Sequence, residues 1–194
     1  MVKFSYILNG VGWADSFLQI DDKTCYFSPS YLTEPLIDLV EGVLSLIYEI
    51  VPGDEVKQEV SFDWNFEPIG SNWLIRRVDR NTLRIIITTY QDIDNKSIGT
   101  PIIELDANCD FHLFLAELIH ALELLLMKCG IVGYKSTWYH YDFPISTYLK
   151  LKYFYIHGKE FPEENITEDG YIEYRKSNLS QEIAMLKDIT RLLN

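Results

Sequence analysis

Cysteine is scarce in this chain: Cys25, Cys109 and Cys129 are the only three among 194 residues. The number is odd and no two form a C-x-x-C pair, which argues against a disulfide framework or a zinc ribbon and fits reduced thiols. Phosphate-cradling loops are missing as well. Gly10-Val11-Gly12 has neither the third glycine nor the following helix that a dinucleotide fingerprint requires. No G-x-S-x-G, papain-like or caspase-like context surrounds any serine or cysteine, so the usual nucleophilic triads fall away and no catalytic residue is assigned.

Positive charge is also short. The chain carries 17 Lys+Arg against 29 Asp+Glu, a formal net charge of −12. Nucleic acid is thereby disfavoured, because its phosphates would be repelled, and so is an anionic membrane surface. A protein with a basic surface is the partner that long-range attraction favours, although acidity also serves solubility alone. No apolar run is long enough for a membrane span: the richest, residues 111–127, contains His112, Glu117, His120 and Glu123. The first fifteen residues hold one lysine and too short an apolar run for a signal peptide, so a cytoplasmic location is expected.

What is present is an ordinary globular composition, 47% hydrophobic and 14% aromatic, sufficient for a full core without staples. Residues 13–20 and 24–27 read as a hairpin across Asp21-Asp22-Lys23, preceded by a short apolar run at 4–8 that ends on the turn signal Asn9-Gly10. A first helix is expected after Thr33 as N-cap, with Pro35 early and Leu36, Val40, Val43 and Ile47 at helical spacing. Residues 55–107 read as four strands, with Asp79-Arg80-Asn81 as a hairpin turn and Pro101 at an edge or a strand start. Asp110 is the expected cap of a second, deeply buried helix that stops at Gly130. A third helix is expected from about 145 to 156, and a short last one over 181–193.

The order ββ-α-ββββ-α-α predicts an α+β fold with a mostly antiparallel sheet of about six strands, helices packed on one face and a short C-terminal helix. Residues 1–157 form the expected domain. Residues 158–194 read as an acidic linker and a helix docked on it.

Glu117 and His120, three apart on the second helix, share a face as ligands of di-iron carboxylate bundles do, but there is no second copy of the pair. With His112 and Glu123 they read as the polar side of an amphipathic helix, so no metal or other cofactor is expected. Cys109, near a helix start, is the one thiol whose acidity the sequence singles out, against the plainer reading of a small buried residue. Asp92 and Asp94 resemble a metal loop without its closing glutamate, and read as a solvated turn. The aromatic segment 138–144 supplies Trp138, Tyr139 and Tyr141 beside His140 and Asp142. Such rings anchor protein interfaces, or fill a core between helices. The first sixty residues hold ten acidic and three basic side chains, Glu34 and Glu41 among them. Acidic residues over 34–59 or 160–173 would steer a basic partner.

At Gly12-Trp13-Ala14-Asp15, Ser30-Tyr31-Leu32-Thr33 and Pro35-Leu36-Ile37-Asp38-Leu39 the chain resembles a group of uncharacterised bacterial proteins. In these a G-W-A strand and its return strand lead into S-Y-L and a helix with an early acidic residue. The resemblance covers about the first fifty residues and implies no site. In composition the chain is also similar to the immunity proteins that accompany bacterial polymorphic toxins. The expected function is that of a non-enzymatic binding module, with Trp138, Tyr139, Tyr141, Asp142, Glu34 and Glu41 as partner-binding residues. An enzyme whose site gathers His112, Glu117, His120 and His140, and a homo-oligomeric structural protein, are the alternatives.

Overall fold

The computed structural model describes residues 1–96, 98–139 and 141–190. Alternation drives its first element. Val2, Phe4, Tyr6 and Leu8 turn inward while Lys3 and Ile7 turn out, which makes β1 (Val2–Gly10) a half-buried strand. It pairs antiparallel with β2 (Trp13–Ile20), which pairs with β3 (Lys23–Phe27). The expected two-stranded hairpin is therefore a three-stranded sheet. The apolar run at 4–8 was too short to read as a strand, but it extends through the polar residues on both sides.

Helix α1 (Pro35–Ser45) buries Leu36, Leu39, Val40 and Val43. Its N-cap is Glu34, with Pro35 in the first turn, and not Thr33 as expected. The Thr33 hydroxyl instead accepts the backbone N–H of Asn65 at 3.1 Å, tying the helix entry to the next sheet. That sheet is antiparallel in chain order: β4 (Glu59–Phe66), β5 (Ile69–Arg77), β6 (Thr82–Tyr90) and β7 (Ile102–Asp110). Strand β7 starts directly after Pro101 and lies at the edge, which answers the constraint that proline imposes. Among the aspartates of the 91–101 loop, Asp92 accepts the N–H groups of Asp94 and Asn95, both at 2.9 Å, the closed turn of a solvated loop.

Asp110 caps α2 (Phe111–Trp138) through the Leu113 N–H at 2.9 Å. Gly130 breaks the helix with φ of 64°, but a second segment resumes and runs to Trp138. After α3 (Ile145–His157), the expected linker contains a hairpin, β8 (Glu163–Glu168) and β9 (Tyr171–Ser177), followed by α4 (Leu179–Thr190). Its polar composition hid two strands that lean on little else. The α+β class stands, with nine strands in three antiparallel sheets among the described residues where a sheet of about six was expected.

One core joins these parts, from Val2 and Phe4 through Trp64, Trp73 and the α2 stripe to Met185 and Ile189 of α4. Trp64 and Trp73 meet with ring centroids 4.4 Å apart, and Phe27 and Tyr6 pack against them. Arg77 is buried with its guanidinium 3.7 Å from the Phe111 ring centre, and it donates to the Asp79 and Arg80 carbonyls. This clamps the β5–β6 turn onto the start of α2. Between α2, α3 and α4, the Lys152 ammonium sits 2.7 Å from Glu123 and donates to Tyr148 Oη and the Met185 carbonyl. Among the described residues, no helix is long and apolar enough to cross a membrane.

Candidate functional site

Three backbone links gather distant segments into one face. Gly12 N–H donates to the Thr137 carbonyl at 2.8 Å, Tyr31 N–H donates to the Gly12 carbonyl at 2.9 Å, and Trp13 bridges Ser30. Gly12 has φ of +72°, and a Cβ there would lie 2.5 Å from Tyr31 Cδ1, so only glycine allows this approach. The β1–β2 turn, the 28–34 loop and the end of α2 therefore meet.

The side chains on this face are aromatic and acidic. Trp13, Tyr31, Leu32, Tyr139 and Tyr141 are exposed, Tyr139 at 68%. Trp138 is not: it is fully buried, 0% exposed, and its indole N–H donates to Glu34 Oε2 at 3.2 Å. This corrects the expectation that Trp138 anchors a partner. The helical segment after Gly130 turns it inward against Tyr6 and Tyr134, whereas Tyr139, one residue beyond the helix, faces out. Asp142 is exposed and stands 3.6 Å from Lys135. His140 lies outside the described residues.

Glu34, Asp38 and Glu41 are spaced so that they follow one another along one side of α1. Burial pushes the Glu34 carboxyl up from an ordinary 4.5 to about 7; the Trp138 hydrogen bond and Lys135 oppose the shift, and Asp38 adds to it. Asp38 is pushed up by burial first and then by Glu41 and by Asp63 of β4. Lys96 pairs with Asp63 at 2.7 Å. Beneath Glu34 lies Tyr6, whose buried hydroxyl has no hydrogen-bond partner among the described residues. Burial raises its pKa, and so do the nearby Tyr134 and Glu34. An acidic row held partly out of water gains when a cation from outside neutralises it.

The other candidates stay apart. His112 and His120 are exposed on α2, Glu117 is half-buried there, and His112 stacks on Phe154. Among the described residues no group of three metal-ligating side chains could hold an ion. Glu123 belongs to the buried contact with Lys152 and Tyr148 instead. Cys109 is the next-to-last residue of β7, and burial pushes its thiol up to about 12, the reverse of an activated cysteine.

Asp38 lies within the acidic span 34–59 expected from the sequence, whereas Trp13, Tyr31 and Asp63 were not expected as members of this face. The aromatics stood in a strand start and a loop where nothing marks exposure. The heptad-like spacing of the three acids on α1 was the signal that could have found the row. No protein-family model matches the chain, and neither a curated protein nor a solved structure matches it.

Proposed function

We propose that this chain is a non-enzymatic, cytoplasmic protein-binding module. It takes a basic protein surface against the aromatic and acidic face built by α1, the Gly12 turn and the end of α2. The observation that carries this reading is the row Glu34–Asp38–Glu41, reinforced by Asp63 and flanked by exposed Tyr31, Tyr139 and Tyr141. Acidic charge steers the encounter, and rings with few rotatable bonds supply contact area at low entropy cost. The net charge of −12 acts in the same direction at long range. An immunity protein that neutralises a basic toxin domain is the concrete form of such a module.

The test is capture on two parallel columns. One carries the wild-type chain, and the other a variant with Asp38→Asn, Glu41→Gln, Tyr31→Ala and Tyr139→Ala. A basic protein retained by the first, released by salt and lost from the second supports the reading. Equal retention on both columns overturns it.

A further inference from the structure

We infer that the cleft between β1 and α2 is a binding site for an aliphatic monocarboxylate, with the alkyl chain lying along the helix and the carboxylate on Lys128. The two elements run side by side in the same direction. Val2 and Leu113 line one hollow near their starts, and further along Lys128 Nζ donates to the Leu8 carbonyl at 3.2 Å. Between these points lies a cleft of about 330 Å³. Two small residues leave the room for it, Ser5 on β1 and Ala121 on α2, where the neighbouring turns carry Leu118 and Leu125. Ile7 and Leu124, each 46% exposed, stand on its walls. A single exposed aliphatic is ordinary on a protein surface, but two that line one concavity form the apolar lining of a small-molecule site.

Charge selects the occupant. An ammonium has three N–H donors, and the Leu8 carbonyl takes one of those on Lys128. Lys128 has no ion-pair partner among the described residues. It therefore sets an uncompensated cation at the end of an otherwise apolar cleft, in a chain of net charge −12. One compact cation matches one carboxylate, whereas a phosphate group would call for further donors that these walls do not carry. The neighbouring acids leave this pairing open. Glu117 is about three helical turns from Lys128. Asp15, opposite Ile7 on β2, accepts the Ser28 hydroxyl at 3.2 Å, one strand further from α2. Glu123 is held by Lys152 on the buried side of the helix. From Ala121 to Lys128 the helix rises about 10 Å, the reach of a medium-length alkyl chain.

This inference does not rest on the acidic and aromatic face. The experiment is calorimetric titration of the full chain at pH 8 with decanoate, kept well below its micelle concentration, and with decanol and decyltrimethylammonium as the neutral and cationic comparisons. It uses wild type, Lys128→Gln, Leu124→Ser and the Asp38→Asn, Glu41→Gln pair, each checked for folding by circular dichroism. Lys128 and Leu124 are both exposed, so their variants keep the core intact. The expected result is one decanoate per chain, bound about tenfold more tightly than decanol, with no binding of the cation. Lys128→Gln should remove the preference for decanoate over decanol, Leu124→Ser should weaken both about tenfold, and the acidic-row pair should change neither. Failure of wild type to bind decanoate overturns the inference. So does equal binding of decanoate and decanol by wild type, or a decanoate affinity that Lys128→Gln leaves unchanged. Loss of binding in the acidic-row pair alone would place the ligand on the other face, and would also overturn it.

Discussion

Glu34 and Trp138 are 104 residues apart in sequence and share a hydrogen bond of 3.2 Å, the indole N–H donating to the carboxylate. This contact ties the end of α2 to the entry of α1. It also holds a carboxyl half out of water, at the inner end of the acidic row.

The pH dependence of stability follows from that placement. The folded state holds the Glu34 proton up to about 7, whereas an ordinary carboxyl releases it near 4.5. Between those values the folded chain binds more protons than the unfolded one. The Glu34 contribution is therefore full below about 4.5 and is lost as pH rises through about 7. Glu34→Gln removes the loss. It should match wild type near pH 4 and exceed it above pH 7 by about 1 kcal/mol once solvent screening is allowed for. Urea unfolding of both proteins across this range checks the sign. A gap that widens toward low pH would contradict it.

The aromatic segment should divide sharply under mutation. Trp138→Ala opens a cavity against Tyr6 and Tyr134 and should cost about 3–5 kcal/mol. Tyr139→Ala and Tyr141→Ala touch exposed rings and should change stability by no more than about 0.5 kcal/mol. Thermal unfolding of the three variants is the check.

This division marks what the sequence makes legible. Helical spacing predicts α1, α2 and α3 because each buries a continuous stripe, and turn chemistry predicts the β5–β6 hairpin through Asp79, which accepts the Asn81 N–H. Whether Trp138 faces in or out depends on Gly130, where a left-handed residue interrupts α2 and the helix then resumes. A glycine that ends a helix and one that only breaks it look alike in sequence. The same holds for β8 and β9: their residues are polar because little covers them, so periodicity has no core to report. The acidic face is assembled through Gly12, Tyr31 and Thr137 by long-range backbone contacts that no local pattern encodes.

The buried ion pair between α2 and α3 is expected to be costly to break and cheap to replace. Lys152→Met leaves Glu123 charged, buried and without its cation, and should destabilise by about 3 kcal/mol or more. Adding Glu123→Leu should recover most of that loss, because two desolvated charges give way to apolar packing. Because Lys152 also donates to the Met185 carbonyl, proteolysis at α4 should speed up in the single variant. A double-mutant cycle measured by chemical denaturation checks the coupling.

Thiol chemistry gives a further check. Burial pushes Cys25 up to about 11 and Cys109 up to about 12, whereas Cys129 is partly accessible on α2. An alkylating reagent at pH 8 should label Cys129 first, and the other two only on unfolding. Mass spectrometry of a time course resolves the order. Rapid labelling of Cys109 in the folded protein would contradict the burial described here.

The central claim is that the acidic and aromatic face receives a basic protein. Its most direct measurement is the association rate between the chain and the protein it captures, followed from low to high salt for wild type and for the Asp38→Asn, Glu41→Gln pair. The account predicts a rate that falls steeply with salt in wild type and less steeply in the variant, because part of the steering charge is gone. A rate indifferent to salt, or an equal slope in both proteins, would contradict it.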